Sequence, residues 1–390
     1  MNILYVSSFV YRKNSSAAIR NNKMIEGLVS IGNSVDVLTV NYSEEWTDSA
    51  LLESHRKLGV SANYQDVFSV NNIATNGSKK RLKQYLPKSI YTFIKNVVAF
   101  PDVDKKWLDK DIVIEDKYDI VISSSDTKTS HYVVEKIFKK QVLKAKWVQI
   151  WGDPWASDVN LDFFTKKLVG SFEYKLLKKA YKVFYVSELT TKEYKNKFPS
   201  ISHKISYVGR PYYKKLFVDT SIHKINEFSI FYPGSLNENR SIVNFCENIK
   251  KFNLSNERQI KLNICGYQTE STLELYQEYN FVRFLGVKSV DEVYSQFSES
   301  QFLLFVDNGV SSTQIPGKLF DYYGTNLPII ALVSNGNTIM KEFLSKDRRT
   351  IVVDKDNQDN LDFIFKIDTA NKINEDYSPQ SVARRLLNEL

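Results

Sequence analysis

One pattern governs what this chain can become. A short, continuously apolar run is followed by a helix-period segment and then by another apolar run, and the cycle repeats to the C-terminus. Ile3-Leu4-Tyr5-Val6 ends at Ser7-Ser8; a helix from about Ser16 turns Ile19, Met24, Leu28 and Val29 inward and stops near Gly32; Val35-Asp36-Val37-Leu38-Thr39-Val40 follows. Strand, helix and strand within about 40 residues make a βαβ unit, which requires parallel pairing and a right-handed crossover. The cycle continues with strands at 118–123, 147–150, 182–186 and 205–208. Helices lie between them, one through His131, Val134 and Ile137, another over 166–180 with Leu168, Phe172, Leu176 and Ala180 on one face. Gly209-Arg210-Pro211 interrupts the alternation, which restarts with strands at 229–232, 261–265, 282–285, 302–306, 327–331 and 351–353. Unbroken apolar strands between helices are buried on both faces. The expectation is an α/β chain of two Rossmann-like, doubly wound domains facing across a cleft: 1–209, 210–375, and a C-terminal helix, 376–390, returning toward the first domain.

The length of 390 residues suits two such domains. With 43% hydrophobic and 13% aromatic residues there is ample material for two cores, which excludes a disordered or disulfide-stapled chain. No apolar run approaches the roughly 18 residues of a spanning helix. Residues 1–6 have no basic n-region and no cleavage site, so no secretory leader is expected. Cys246 and Cys265 lie in apolar surroundings with no metal-ligand spacing and read as free thiols of a reducing cytoplasm. The net charge of +8 is unevenly spread: residues 1–210 carry 33 Lys and Arg against 22 Asp and Glu, the remainder 20 against 23. Between Asp66 and Asp102 stand Lys79, Lys80, Arg81, Lys83, Lys88 and Lys95 with no acid among them. The first half is thus suited to an anionic partner, with a solvated basic face as the plain alternative.

The chemistry concentrates in residues 309–330, GVSSTQIPGKLFDYYGTNLPII. A strand enters, a loop of small residues follows, Pro316 suits a first helical turn, and Asp321 stands about one turn in. Amides at a helix start suit a diphosphate, Lys318 can neutralise it, and a carboxylate one turn in can accept both hydroxyls of a ribose. An ordinary helix start with a surface Lys and Asp is the competing reading.

This stretch resembles the P-x-K-x-x-E-Y-x-x-x-x-x-P-I signature of GT-B glycosyltransferases of the retaining, group-1 (family four) type, and the resemblance runs along essentially the whole chain. Phe231-Tyr232-Pro233-Gly234-Ser235-Leu236, with Arg240 beyond, resembles the turn that opens the donor domain, where a glycine approaches the diphosphate and a cation pairs with it. Ile264-Cys265-Gly266 and Phe284-Leu285-Gly286 resemble the next two strand ends. Trp147 to Trp155 resembles the D-F-R-D-P-W strand end of the acceptor domain, and Glu173 to Glu188 the helix and strand after it. The sequence departs from the family in two places. The second of two glutamates usually eight positions apart is Asp321, and the first falls on Thr313, which has no carboxylate. The first βα turn, Ser7-Ser8-Phe9, lacks paired glycines.

The resemblance implies transfer of a sugar from a nucleotide-sugar to a saccharide acceptor, often lipid-linked, in capsule, O-antigen or exopolysaccharide synthesis. It implies a donor site of Gly234, Ser235, Arg240, Gly266, Thr313, Ile315, Pro316, Gly317, Lys318 and Asp321. The acceptor side would comprise Ser8, Asp126, Trp151, Asp153 and Trp155. Asp153, at a strand end, would orient or deprotonate the acceptor hydroxyl, with Trp151, Pro154 and Trp155 as a sugar platform; the alternative is a turn cap. Asp126 reads as an N-cap or a cleft residue, and His131 as structural. The leaving diphosphate would be stabilised by the helix dipole, Arg240 and Lys318, with no metal and no cofactor expected. The cations of 79–95, mixed with Leu82, Leu86, Ile90 and Phe93, suit peripheral contact with the anionic inner face of a bacterial plasma membrane, or a surface helix packed on its domain. A sugar-nucleotide 2-epimerase on the same fold is the alternative enzyme. A basic nucleic-acid-binding protein is disfavoured by the acidic second half and the lack of a recognisable motif.

Overall fold

The computed structural model describes residues 1–13, 15–67, 100–158, 161–219, 227–237, 240–310, 312–357, 361–366 and 372–390. The basic segment 79–95 lies outside the described residues. The chain divides into two compact units, Met1–Pro211 together with Pro379–Leu390, and Tyr212–Ser378. The division thus falls two residues after Gly209, and the returning segment begins at Pro379.

The first unit is built on a parallel sheet of seven strands. They are β1 (Asn2–Val6), β2 (Ser34–Val40), β3 (Ser61–Gln65), β4 (Ile120–Ser124), β5 (Lys146–Trp151), β6 (Lys182–Tyr185) and β7 (Ile205–Tyr207), in the order β3-β2-β1-β4-β5-β6-β7. β1 pairs with β2 on one side and with β4 on the other, so the topological switch lies at β1 and β4. The helices are α1 (Ser16–Ser30), α2 (Ser49–Lys57), α3 (Thr129–Lys140), α4 (Phe163–Lys179) and α5 (Glu188–Lys197). α1 starts where expected because Ser15 caps it, its side chain accepting from the Ala18 amide. The edge strand β3 and the short α2 have no expected counterpart: Ser-Ala-Asn-Tyr-Gln is too polar to read as a strand, and an edge strand needs no apolar run.

The phase of α4 differs from expectation. Leu168 and Phe172 are exposed, and the inward face is Thr165, Val169, Glu173, Leu176 and Leu177. The buried carboxylate of Glu173 sets this phase. It accepts from the amides of Trp155 and Ala156 at 2.9 and 3.0 Å and from the Tyr194 hydroxyl at 3.0 Å, so the face that carries it must turn inward.

The second unit holds a six-stranded parallel sheet in the order β10-β9-β8-β11-β12-β13: β8 (Glu227–Pro233), β9 (Gln259–Cys265), β10 (Val282–Phe284), β11 (Phe302–Val306), β12 (Ile329–Val333) and β13 (Thr350–Asp354). Its helices are α6 (Val243–Ser255), α7 (Glu270–Tyr276), α8 (Val290–Ser298), α9 (Lys318–Tyr323) and α10 (Thr338–Leu344). Ile230, Leu262, Leu304, Ile330 and Leu332 form the core with Phe245, Ile249 and Cys246, which is buried as a free thiol, like Cys265. The last helix, α11 (Pro379–Asn388), belongs to the first unit, where Gly27 of α1 faces the Pro379 carbonyl so closely that a Cβ would come within 2.1 Å of it.

Candidate functional site

In the second unit four of the expected donor residues, Gly234, Gly266, Arg240 and Lys318, gather at the carboxyl end of β8. Gly234 follows the strand directly, and Gly266 follows β9 at φ +137°, a conformation that favours glycine. The two backbones lie so close that a Cβ on Gly266 would stand 3.0 Å from the Gly234 carbonyl carbon. Gly234 in turn leaves room for Lys318. Its ammonium stands 4.1 Å from the centroid of the Tyr232 ring, and a Cβ on Gly234 would come within 2.0 Å of it. Arg240 reaches the same place and spends Nε and Nη2 on the Asn308 amide oxygen, at 3.0 and 2.5 Å. Among the described residues neither Arg240 nor Lys318 has a carboxylate partner. Burial, reinforced by the Arg240 charge, holds the Lys318 ammonium down to about 7. Two cations thus share a glycine-lined strand end with no carboxylate partner among the described residues.

The framework around it uses residues that the motif reading did not single out. The Gln268 side chain clamps the turn after β8, donating to the Gly234 carbonyl at 3.0 Å and accepting from the Leu236 amide at 2.9 Å. Buried Asp307, at the end of β11, accepts from the amide and hydroxyl of Ser334 and from Asn337 Nδ2, at 2.9 to 3.1 Å. It thereby fixes Asn308, which holds Arg240. The spacing of these residues carries no signal; only their position at strand ends does.

Two expectations for the loop after β11 change. α9 has six residues, and Gly317 precedes it without a side-chain cap, so its dipole is short and the positive charge comes from side chains. Pro316 precedes the helix, its carbonyl accepting from Leu319. Asp321 lies one turn in as expected, but one carboxylate oxygen accepts from the Tyr213 amide at 3.0 Å, so it also anchors the chain entering this unit. Ile315 is buried, Thr313 half-buried, and Ser235 accepts from the Tyr232 hydroxyl through its carbonyl at 3.4 Å. A cavity of about 800 Å³ opens at the opposite end of the strands, beside Glu227, Ser229, Lys261 and Asn263 at the strand starts. Open α/β sheets bind ligands at the other end.

In the first unit the ends of β1, β4 and β5 bring Ser8, Asp126, Lys128, His131 and Asp153 together. Lys128 donates to Asp126 at 2.8 Å. Burial raises the Asp153 carboxyl above its ordinary range and the nearby Asp126 charge adds to this; Lys128 and Arg20 oppose it. Asp126 is not the N-cap of α3: the amide of Thr129 is bonded by Asp102 Oδ2 at 2.8 Å, and Asp126 pairs with lysine instead. Ser8 is fully buried and pins loops, its hydroxyl 2.9 Å from that of Thr127 and its amide donating to Ser130 at 3.1 Å. The expected sugar platform is absent from the surface. Trp151 is buried, bonded to Gln149 and stacked on His131 with centroids 4.3 Å apart; Trp155 is buried against Phe100. Burial and Lys128 keep His131 neutral.

Among the described residues no group of three or more His, Cys, Asp and Glu could hold a metal ion, and no helix is long and apolar enough to cross a membrane. No family model matches the sequence, and no curated protein matches it. Solved structures do match its fold. A lipopolysaccharide outer core galactosyltransferase in its apo form is 13% identical, with 100% of this chain and 99% of that one covered at a TM-score of 0.57. An Anabaena protein, HepE, solved with UDP, is 10% identical over 99% of this chain and 98% of its own, at 0.60. A putative UDP-N-acetylglucosamine 2-epimerase from Listeria monocytogenes is 12% identical over 99% and 95%, at 0.54. At such identities the likeness establishes the fold, the two-sheet GT-B architecture, along the whole chain.

Proposed function

We propose that this protein is a glycosyltransferase that moves a sugar from a nucleoside diphosphate sugar to a saccharide acceptor, with retention of configuration. One observation carries the reading: Arg240 and Lys318 converge without a counter-ion on the glycine-lined end of β8. A leaving diphosphate needs such charge. Gly234, Ser235, Gly266, Thr313, Ile315, Pro316 and Gly317 line the donor, Asp321 holds its ribose, and Asp153 orients or deprotonates the acceptor hydroxyl. Support comes from the GT-B likeness to a galactosyltransferase and to a protein solved with UDP. The acceptor is a lipid-linked saccharide of a bacterial surface polysaccharide. The enzyme works in the cytoplasm at the inner membrane face, where Lys79, Lys80, Arg81 and Lys83 meet anionic lipid.

A second reading, a sugar-nucleotide 2-epimerase, is favoured by the gathering of Asp126, Asp153 and His131 at one set of strand ends, the acid-base groups such a reaction wants. Two measurements test and separate the readings. Thermal shift with nucleoside diphosphates and their sugars should show stabilisation, about 2.7 kcal/mol at one hundred times Kd. Incubation of the stabilising nucleotide-sugar with and without a saccharide acceptor should consume it fast only with acceptor. Isomerisation without acceptor would install the epimerase reading, and no stabilisation by any nucleoside diphosphate would defeat both.

A further inference from the structure

Arg20 is 5% exposed, and two of its guanidinium nitrogens, Nε and Nη2, are buried with no hydrogen-bond partner. It sits in α1 at the switch point of the first sheet, beside Asn21, whose side chain is fully engaged. Asn21, next in sequence, makes four bonds: it accepts from the Tyr5 and Ser124 hydroxyls and donates to Ser7 Oγ and the Phe9 carbonyl, at 2.7 to 2.9 Å. That network knits β1, β4 and α1 into a rigid floor. From it the Arg20 guanidinium reaches the end of β5, where it lies against Gly152. A Cβ there would stand 1.8 Å from Nη1, so only glycine admits it. The two acids at these strand ends leave it unpaired: Asp126 is bonded to Lys128, and among the described residues no carboxylate ion-pairs with Arg20.

Nε and Nη2 form one edge of the guanidinium plane, the edge whose parallel N–H bonds grip two oxygens of a carboxylate or phosphate. A guanidinium held on the hydrogen-bonded floor around Asn21, with the Nε–Nη2 edge unbonded, is preorganised for an oxyanion. We infer that the switch-point crevice of the first unit is a subsite for an oxyanion, phosphate ester or carboxylate, borne by the acceptor and held by the Nε–Nη2 edge of Arg20 beside Lys128. The inference rests on the proposed glycosyl transfer only in naming the ligand an acceptor; the anion site stands on Arg20 alone. It implies that the acceptor hydroxyl reacts close to a charged group, as in a glycosyl phosphate or a uronic acid.

The test uses the full chain carrying ¹⁵Nε-arginine, with the second unit saturated by uridine diphosphate. The Arg20 Nε–H resonance, assigned by its loss in Arg20→Lys, is followed through titrations with inorganic phosphate, glucose 1-phosphate and methyl glucoside. It should move with the first two and stay still with the third. Arg20→Gln should weaken glucose 1-phosphate by about tenfold or more, the scale of a lost charge-assisted bidentate pair. It should leave uridine diphosphate binding unchanged, which also shows that the variant is folded. Should Arg20→Gln fail to fold, Arg20→Lys, which keeps the charge but loses the fork, should still weaken the ester. A resonance unmoved by millimolar phosphate and ester would overturn the site, and movement with phosphate but not the ester would overturn its assignment to an acceptor. If uridine diphosphate does not bind while the Arg20 resonance still responds, the glycosyltransferase reading fails and the anion site survives.

Discussion

Lys318 should make diphosphate binding a proton-uptake reaction. In the empty protein its ammonium is held at about 7 by burial and by Arg240, whereas an unperturbed lysine titrates near 10.4. A diphosphate between the two cations replaces repulsion by attraction and returns Lys318 toward its ordinary range. At pH 8 the free protein then carries about 0.1 proton on Lys318 and the complex about 1, so binding should take up about 0.9 proton. Above about pH 7.5, where uridine diphosphate is itself fully ionised, affinity should fall some fifty- to a hundredfold by pH 9.5. Calorimetry in buffers of different ionisation enthalpy measures the uptake directly. Lys318→Arg carries a charge that does not titrate in this window, so it should abolish both uptake and slope. The sign for stability is opposite: between pH 7 and about 10 the unfolded chain holds the proton that the native lysine has lost, so this residue alone makes the empty protein more stable as pH rises. An affinity for uridine diphosphate that stays flat across the window, or a slope equally steep in Lys318→Arg, would refute the assignment.

Arg240→Ala should lower turnover far more than folding stability, measured by kcat and Tm on the same preparation, because its guanidinium, held by the Asn308 amide oxygen, makes no ion pair among the described residues. Gly234→Ala should push the Lys318 ammonium from its seat and weaken uridine diphosphate binding, whereas Gly32→Ala, at a positive-φ turn in open space, should cost stability alone. Asp321→Ala should reduce nucleotide affinity by about 1.5–3 kcal/mol by calorimetry, and should also lower Tm because the Tyr213 amide loses its acceptor. Glu173→Ala strands two buried amides and a tyrosine hydroxyl, so denaturant unfolding should show a loss of about 3 kcal/mol or more.

The strands were legible because parallel strands covered on both faces are written as unbroken apolar runs, as in Ile120–Ser124 and Phe302–Val306. β3 was not, because an edge strand can be polar. The inward face of α4 was misread for a related reason: periodicity counts Leu168 and Phe172 as core, yet a carboxylate with three donors, Glu173, outranks them once the strand-end loop folds over it. Aromatics in a strand-end motif read as a platform, but Trp151 and Trp155 face the core, and sequence does not say which side of a loop a ring falls on. Lys318 was picked out by its place at a helix start after a small-residue loop, and Arg240 by the resemblance of the turn after β8 to a family motif. Gln268, Asp307 and Asn308, which hold that pair in place, have side chains common in any loop. Arg20 was hidden inside an amphipathic helix, where a lone arginine ordinarily reads as solvated.

The first unit is not finished when its own strands have been made. Its last element, α11, comes after the whole of the second unit in sequence, and it lies on Gly27 of a helix synthesised some 350 residues earlier. Domains on a ribosome generally fold in the order in which they emerge. Here the order is inverted: residues 212–378 have all their parts first, and the N-terminal sheet waits with the α1 face open until Pro379–Leu390 has been made. A nonsense codon or clipping after Ser378 would therefore damage the half of the protein farthest away in sequence, and a fragment ending at Pro211 is an unsealed domain rather than a module.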